Sequence, residues 1–290
     1  MSVEAERKTV LQAAASLRLT GLNAPASAHL ITMLCDETVA ADELALRIER
    51  EPVLSARVLR VANSAFYGQQ RTVVTMRRAV LVLGVNALRG IAAAACICQV
   101  VPSRLAVLPD VSSWLQHSLA TALASEMLAS RRAPELSAGA FIAGLLHNLG
   151  VLLQTVVNPQ GMAAMMAARG AHPHRDIREL EQEHSVPSHE KIIGLVFEDW
   201  QLPPALVCAA MHHHHPAEAP QAFRNLAELV GTSAHLALAF GNTYSLEPAP
   251  TGSEGENKSK GLLSLPADEL AAFQGQLQRR LSYLAAAALG

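Results

Sequence analysis

The residues able to do chemistry are concentrated in one half of the chain. Twelve histidines occur in 290 residues, and all but His29 lie at or beyond position 117. His117, His147 followed by Asn148, His189, the run His212 to His215, and His235 each fall in or beside a segment whose apolar spacing predicts a helix. Imidazole is the commonest neutral metal ligand, and helical bundles build metal sites from inward side chains on several helices. His147 stands inside FIAGLLHNLGVLL, apolar on both sides, so it must find a partner or bear a desolvation cost. A second reading stands beside the first, in which these are satisfied histidines of a core or cleft. In a continuous helix, the run 212–215 would fan around the axis, leaving only His212 and His215 on one face and half the run exposed. His172, His174 and His184 flank proline or charge and read as surface loop, and His29 as a solvated helix face. The phosphate-loop, dinucleotide and nucleophile-elbow glycine motifs are all missing. The histidines are therefore the one candidate site.

The elements that must position them are helices. Half the residues are apolar and only 4% aromatic, with Ala and Leu dominant, which favours helix packed on helix. The spacing predicts helices over 1–20, 25–35, 42–50, 52–62, 76–83 and 86–101. Pro52 sits in a first turn, and Asn63, Ser64 and Gly68 break the chain afterwards. Pro102 and Pro109 mark a boundary between an N-terminal helical subdomain (1–108) and a C-terminal one (109–290). In the second, helices are expected over 111–130, 137–157, 159–170, 176–183, 188–199, 203–214, 222–240 and 267–288. The Gly-, Pro-, Ser- and charge-rich stretch 247–261 is expected to be a mobile loop. The fold class is all-α, a multi-helix bundle.

Bulk properties narrow the partners. Net charge is −2. Residues 47–104 carry nine Arg against two acids, dispersed rather than in a run, which reads as solvated helix faces more readily than as a nucleic-acid surface. Cys35, Cys96, Cys98 and Cys208 show no C-x-x-C spacing and read as reduced core residues. The N-terminus lacks an apolar signal region, and Ile91 to Val101, taken as the most apolar stretch, is too short to cross a bilayer. A cytoplasmic protein with no membrane contact is expected.

Five segments carry a resemblance. EREPVLSARVLRVANSAFYG (49–68), RAVLVLG (78–84), AFIAGLLHNLG (140–150), W-x-L-P (200–203) and HHHP (213–216) resemble the HDOD family over roughly residues 22–240. That family is an output-type relative of the metal-dependent HD phosphohydrolases. The resemblance implies that His117 falls at the first superfamily histidine and His147 at the histidine of the His-Asp pair. Asn148 stands where the aspartate should be. His189, His213 and His214 fall at the later histidines, with His235 near the last aspartate. These six residues, His117, His147, Asn148, His189, His213 and His214, form the expected metal site, working or vestigial. An amide in place of the carboxylate removes a full negative charge, so a site without carboxylates is expected, poor at activating water though able to hold zinc, nickel or ferrous iron. No catalytic residue is assigned and no cofactor is required. The resemblance implies a non-catalytic regulatory module of bacterial signal transduction, acting through a protein partner and open to a small nucleotide ligand. The alternative is a phosphohydrolase, of cyclic-dinucleotide phosphodiesterase type, with an atypical ligand set. Arg57, Arg60, Phe66 and Tyr67 are the candidate contact residues, against plain surface charge for the arginines and a structural corner for Asn63, Phe66 and Tyr67.

Overall fold

The protein is described by a computed structural model, which defines residues 7–12, 30–34, 36, 38–64, 67–69, 72–100, 111–172, 175–247 and 266–289. Phe66, His29 and His174 lie outside the described residues, as do most of the expected helices over 1–20 and 25–35 and of the expected loop over 247–261. Among the described residues there is no strand, only an isolated antiparallel bridge between Tyr244 and Glu247.

The N-terminal helices are α1 (Ala41–Glu49), α2 (Pro52–Ala62), α3 (Met76–Leu83) and α4 (Val85–Val100). Pro52 supplies the first turn of α2, where its missing N–H costs nothing. Thr75 caps α3 by accepting from the Arg78 amide. Gly84, at φ +79°, then turns the chain through 115° into α4, a conformation natural to glycine. Two polar side chains fasten this half. Asn63 donates from Nδ2 to the Leu59 and Val73 carbonyls and accepts from the Val73 amide, closing the corner after α2. The buried Arg89 donates to the carbonyls of Met33, Leu34, Asp36 and Val39, so one arginine of the Arg-rich stretch is spent on orphan helix-end carbonyls.

The C-terminal half contains α5 (Val111–Arg132), α6 (Ser137–Leu146), α7 (Leu149–Val157), α8 (Pro159–Ala171), α9 (Ile177–Glu183), α10 (His189–Asp199), α11 (Pro204–His212), α12 (Arg224–Ala239) and α13 (Ala267–Leu289). The Ala-rich α5 is buried nearly all round and packs along α6 and α12. Helix α13 lies against α5 and also against α2 and α4, so one contiguous core runs through both halves. It buries Phe273 and Leu277 completely, each contributing about 1.5–3 kcal/mol of apolar burial. Arg280 pairs with Glu126 of α5 at 2.5 Å.

Two expectations change here. The single helix expected over 137–157 is broken at His147–Asn148, where Asn148 takes φ −103°, ψ 13° and caps α7. The most apolar stretch is not Ile91 to Val101. Gly139–Val157 spans 19 residues with mean hydropathy 1.7, long and apolar enough to cross a membrane by length and composition, but 89% of it is buried against the rest of the chain. Cys208 is buried and unpaired.

Candidate functional site

Each histidine is set by the end or the interior of a helix. His117 lies on α5, His147 ends α6, His189 opens α10 under the Ser188 cap, and His213 and His214 follow the last turn of α11. Two glycines let these backbones meet. A Cβ on Gly150 of α7 would lie 2.1 Å from the His189 carbonyl oxygen, and one on Gly231 of α12 would lie 2.2 Å from that of His213. Only a residue without a side chain allows either approach.

The rings form a continuous chain. Centroids lie 5.4 Å apart for His117–His147, 4.9 Å for His147–His213, 5.5 Å for His189–His213 and 4.1 Å for His213–His214. The last pair corrects the sequence reading. Because α11 stops at His212, successive residues 213 and 214 both turn toward the cluster instead of fanning around an axis. His212 and His215 line an outer cleft of about 670 Å³ together with Arg178, Glu190 and Lys191. The ligand atoms of His189, His213 and His214 lie within 4.8 Å of one another, a group able to hold a metal ion.

Tautomers follow from the partners of Nδ1. His117 meets the Asn242 carbonyl at 2.9 Å, His147 that of Gly144 at 2.6 Å, and His213 that of Ala210 at 2.9 Å. A carbonyl can only accept, so Nδ1 carries the proton in all three and Nε2 presents a bare lone pair. His189 directs Nδ1 to the buried Glu181 carboxylate at 2.6 Å, the orienting partner that metal-bound histidines commonly have. The Nε2 atoms of all five histidines are buried without a hydrogen bond. Each such orphan costs about 1–3 kcal/mol, and among the five residues His189, His213 and His214 offer ligand atoms within 4.8 Å of one another. Burial drives His147 and His214 well below the ordinary imidazole value and His213 to about 3, and it also lowers His117. For His189 burial acts the same way, but the Glu181 charge and hydrogen bond override it and raise the value. Four neutral imidazoles and one anchored by a carboxylate are suited to receive a cation.

The expected absence of a carboxylate is not what the structure holds. Glu247 is buried, although the sequence placed it at the head of a mobile loop. It is brought in by a short hook after α12, where Tyr244 and Glu247 exchange backbone hydrogen bonds at 3.3 and 3.0 Å. Asn148 donates from Nδ2 to the Glu247 carboxylate at 3.1 Å and to the Tyr244 hydroxyl at 3.2 Å, and its backbone carbonyl accepts from Trp114 Nε1. Burial and the neighbouring Glu247 hold the Tyr244 hydroxyl well above its usual value. The carboxylate that the resemblance sought near His235 therefore comes from beyond α12, with His235 itself half-buried on that helix. Glu181, Tyr244 and Glu247 escaped the sequence reading: Glu181 is one acid in an acidic helix, and Glu247 opens a segment of loop composition.

The candidate contact residues do not join this cluster. Arg57, half-buried, and Arg60, exposed, lie on α2, which packs on α1, α3, α4 and α13. Tyr67 lines a cleft of about 520 Å³ with Gly84, Asn86, Glu126 and Arg280, where the two halves and the last helix meet.

Comparison with known proteins adds the following. The HDOD domain model matches residues 24–216. An uncharacterised protein of Treponema pallidum (strain Nichols) is 24% identical over 195 residues, covering 66% of this chain and 37% of that protein's length. Among solved structures, a protein of Shewanella amazonensis SB2B provisionally named a phosphohydrolase is 24% identical, with a TM-score of 0.70 over 97% of each chain. A protein of Marinobacter aquaeolei VT8 provisionally named a signal transduction protein is 24% identical, with a TM-score of 0.73 over 98% of this chain and 65% of that one. At these identities the likeness to solved structures establishes the fold.

Proposed function

The chain belongs to the HDOD family, and from that premise we propose that it is a non-catalytic regulatory module of signal transduction, acting on a protein partner, whose histidine cluster holds a divalent metal as a tie. The observation that carries this reading is the set of five buried Nε2 atoms without a hydrogen bond, on His117, His147, His189, His213 and His214. The donor set of imidazoles fits zinc, nickel or ferrous iron rather than magnesium or calcium, which take oxygen ligands. When bound, such an ion supplies a Lewis-acidic, cross-linking centre joining α5, α10, the end of α11 and the α6–α7 turn.

The non-catalytic half of the proposal rests on enclosure and on Asn148. A hydrolytic centre keeps one position open to water and substrate, whereas here the donor nitrogens are buried. Asn148 directs Nδ2 at Glu247 and leaves Oδ1 buried without a hydrogen bond, so the position keeps an oxygen but lacks the charge of a carboxylate. One observation favours a second reading, a metal-dependent phosphohydrolase acting on phosphodiesters: Glu247 returns one negative charge to the cluster.

Untagged protein purified without a nickel column should contain about one or two equivalents of transition metal, lost in His147→Ala. Neither protein should hydrolyse bis(p-nitrophenyl) phosphate or a cyclic dinucleotide. Turnover by the wild type that disappears in His147→Ala would overturn the regulatory reading in favour of the second. A metal-free protein indifferent to chelator would remove the tie.

A further inference from the structure

We infer that Glu247, supplied by the hook that follows α12, is the anionic ligand of the histidine cluster and takes over the task that Asn148 cannot perform. The inference rests on the proposed metal-holding reading and names a residue beyond the 24–216 segment matched by the family model.

The geometry points there from three directions. First, one carboxylate reaches both ends of the cluster. Its Oε2 lies 3.7 Å from His117 Nε2 and its Oε1 lies 3.3 Å from His214 Nε2. Second, the encounter with His117 sets acceptor against acceptor. His117 Nδ1 holds the proton for the Asn242 carbonyl, so Nε2 has only a lone pair to show to Glu247. Two lone pairs facing each other in a buried site repel unless a cation lies between them. Third, the carboxylate is aimed. Asn148 donates to it at 3.1 Å and to the Tyr244 hydroxyl at 3.2 Å, so one amide spans both ends of the hook. Among the described residues, this buried anion meets two imidazoles and an amide, with a phenol beside it and the electrostatic pull of Arg169 on α8. A buried carboxylate needs a compensating charge, and an ion held by the neighbouring Nε2 atoms provides it.

Asn148 thereby changes role. Its Nδ2 orients the substitute carboxylate, which makes it a positioning residue, while its neutral Oδ1 is buried without a hydrogen bond.

The test is zinc affinity, measured by competition with a chromophoric chelator on the full chain, with the melting temperature of each metal-free protein as a check on folding. Glu247→Gln keeps the shape and removes the charge, and should weaken zinc binding by about 10–100-fold. Glu247→Asp keeps the charge one methylene further back and should bind more tightly than the Gln variant. Equal zinc affinity in Glu247→Gln and wild type, while His147→Ala loses the ion, would overturn this inference and leave the metal-holding reading intact. An Asp variant no tighter than Gln would also overturn it. A wild type that takes up no zinc would sink both readings together.

Discussion

Alanine at position 150 should disturb the metal centre more than it disturbs the fold. The added Cβ would stand 2.1 Å from the His189 carbonyl oxygen, 2.8 Å from its carbonyl carbon and 3.1 Å from its Cα. A relaxed carbon–oxygen contact is about 3.3 Å, so α7 and the first turn of α10 must part by about 1.2 Å. Both sides of the contact are helical backbone, so no flexible tip can swing aside. Overpacking of this kind costs about 1–3 kcal/mol, a fall of roughly 5 °C in Tm for a chain of this size. Metal–ligand distances tolerate only about 0.2 Å, and His189 cannot follow freely because Glu181 holds its Nδ1 at 2.6 Å. Gly150→Ala should therefore bind zinc at least about 10-fold more weakly, with the fold retained. Chelator competition reads the first effect and a circular-dichroism melt of the metal-free protein reads the second. Gly231→Ala should reproduce both through a different helix, since its Cβ would stand 2.2 Å from the His213 carbonyl oxygen. Unchanged zinc affinity together with unchanged Tm in Gly150→Ala would refute the reasoning from close approach.

Two further outcomes are expected. Arg89→Met strands the carbonyls of Leu34 and Val39 and takes the second donor from those of Met33 and Asp36, and should destabilise the protein by about 2 kcal/mol or more, read from the urea midpoint, without altering zinc affinity of the folded fraction. Acid should unfold the chelator-treated protein early. His213 has a folded value of about 3 against 6.5 ordinarily, so its contribution is complete above pH about 6.5 and falls by about 1.4 kcal/mol per pH unit below it. His117, His147 and His214 act in the same direction, while the raised value of His189 acts with opposite sign, its contribution present at low pH and lost as pH rises. A melting temperature flat between pH 6.5 and about 4 would contradict this.

Helical periodicity and the proline positions made most of the bundle legible, because prolines open or follow several helices and most of the others carry their apolar residues on one face. Of the six expected site residues, only His147 stood out by its apolar run; the others were expected from the family resemblance. What stayed hidden depends on tertiary geometry. The break at His147–Asn148 leaves no trace in an apolar run that continues through it. The pairing of His213 with His214 depends on where α11 ends, and a helix continued by one turn would have parted them. Glu247 follows a tight hook and precedes a segment of loop composition, so composition voted against it while burial and hydrogen bonding decided for it. Tertiary contacts override local propensity most easily at such short segments.

The proposed metal site would draw its donors from five separate stretches of chain: His117 on α5, His147 after α6, His189 on α10, His213 and His214 after α11, and Glu247 on the hook. Three of them, His189, His213 and His214, lie within the single segment 189–214, whereas His117, His147 and Glu247 reach the cluster only through the packing of distant helices. Contacts of long sequence separation form late, after the loop-closure entropy has been met by packing. On the proposed metal-holding reading, the full set of donors would meet only in the finished bundle, and an ion would complete its coordination there through transient opening. Loading of this kind is a slow clock: metal content would rise with the age of each molecule and would lag any sudden change in supply.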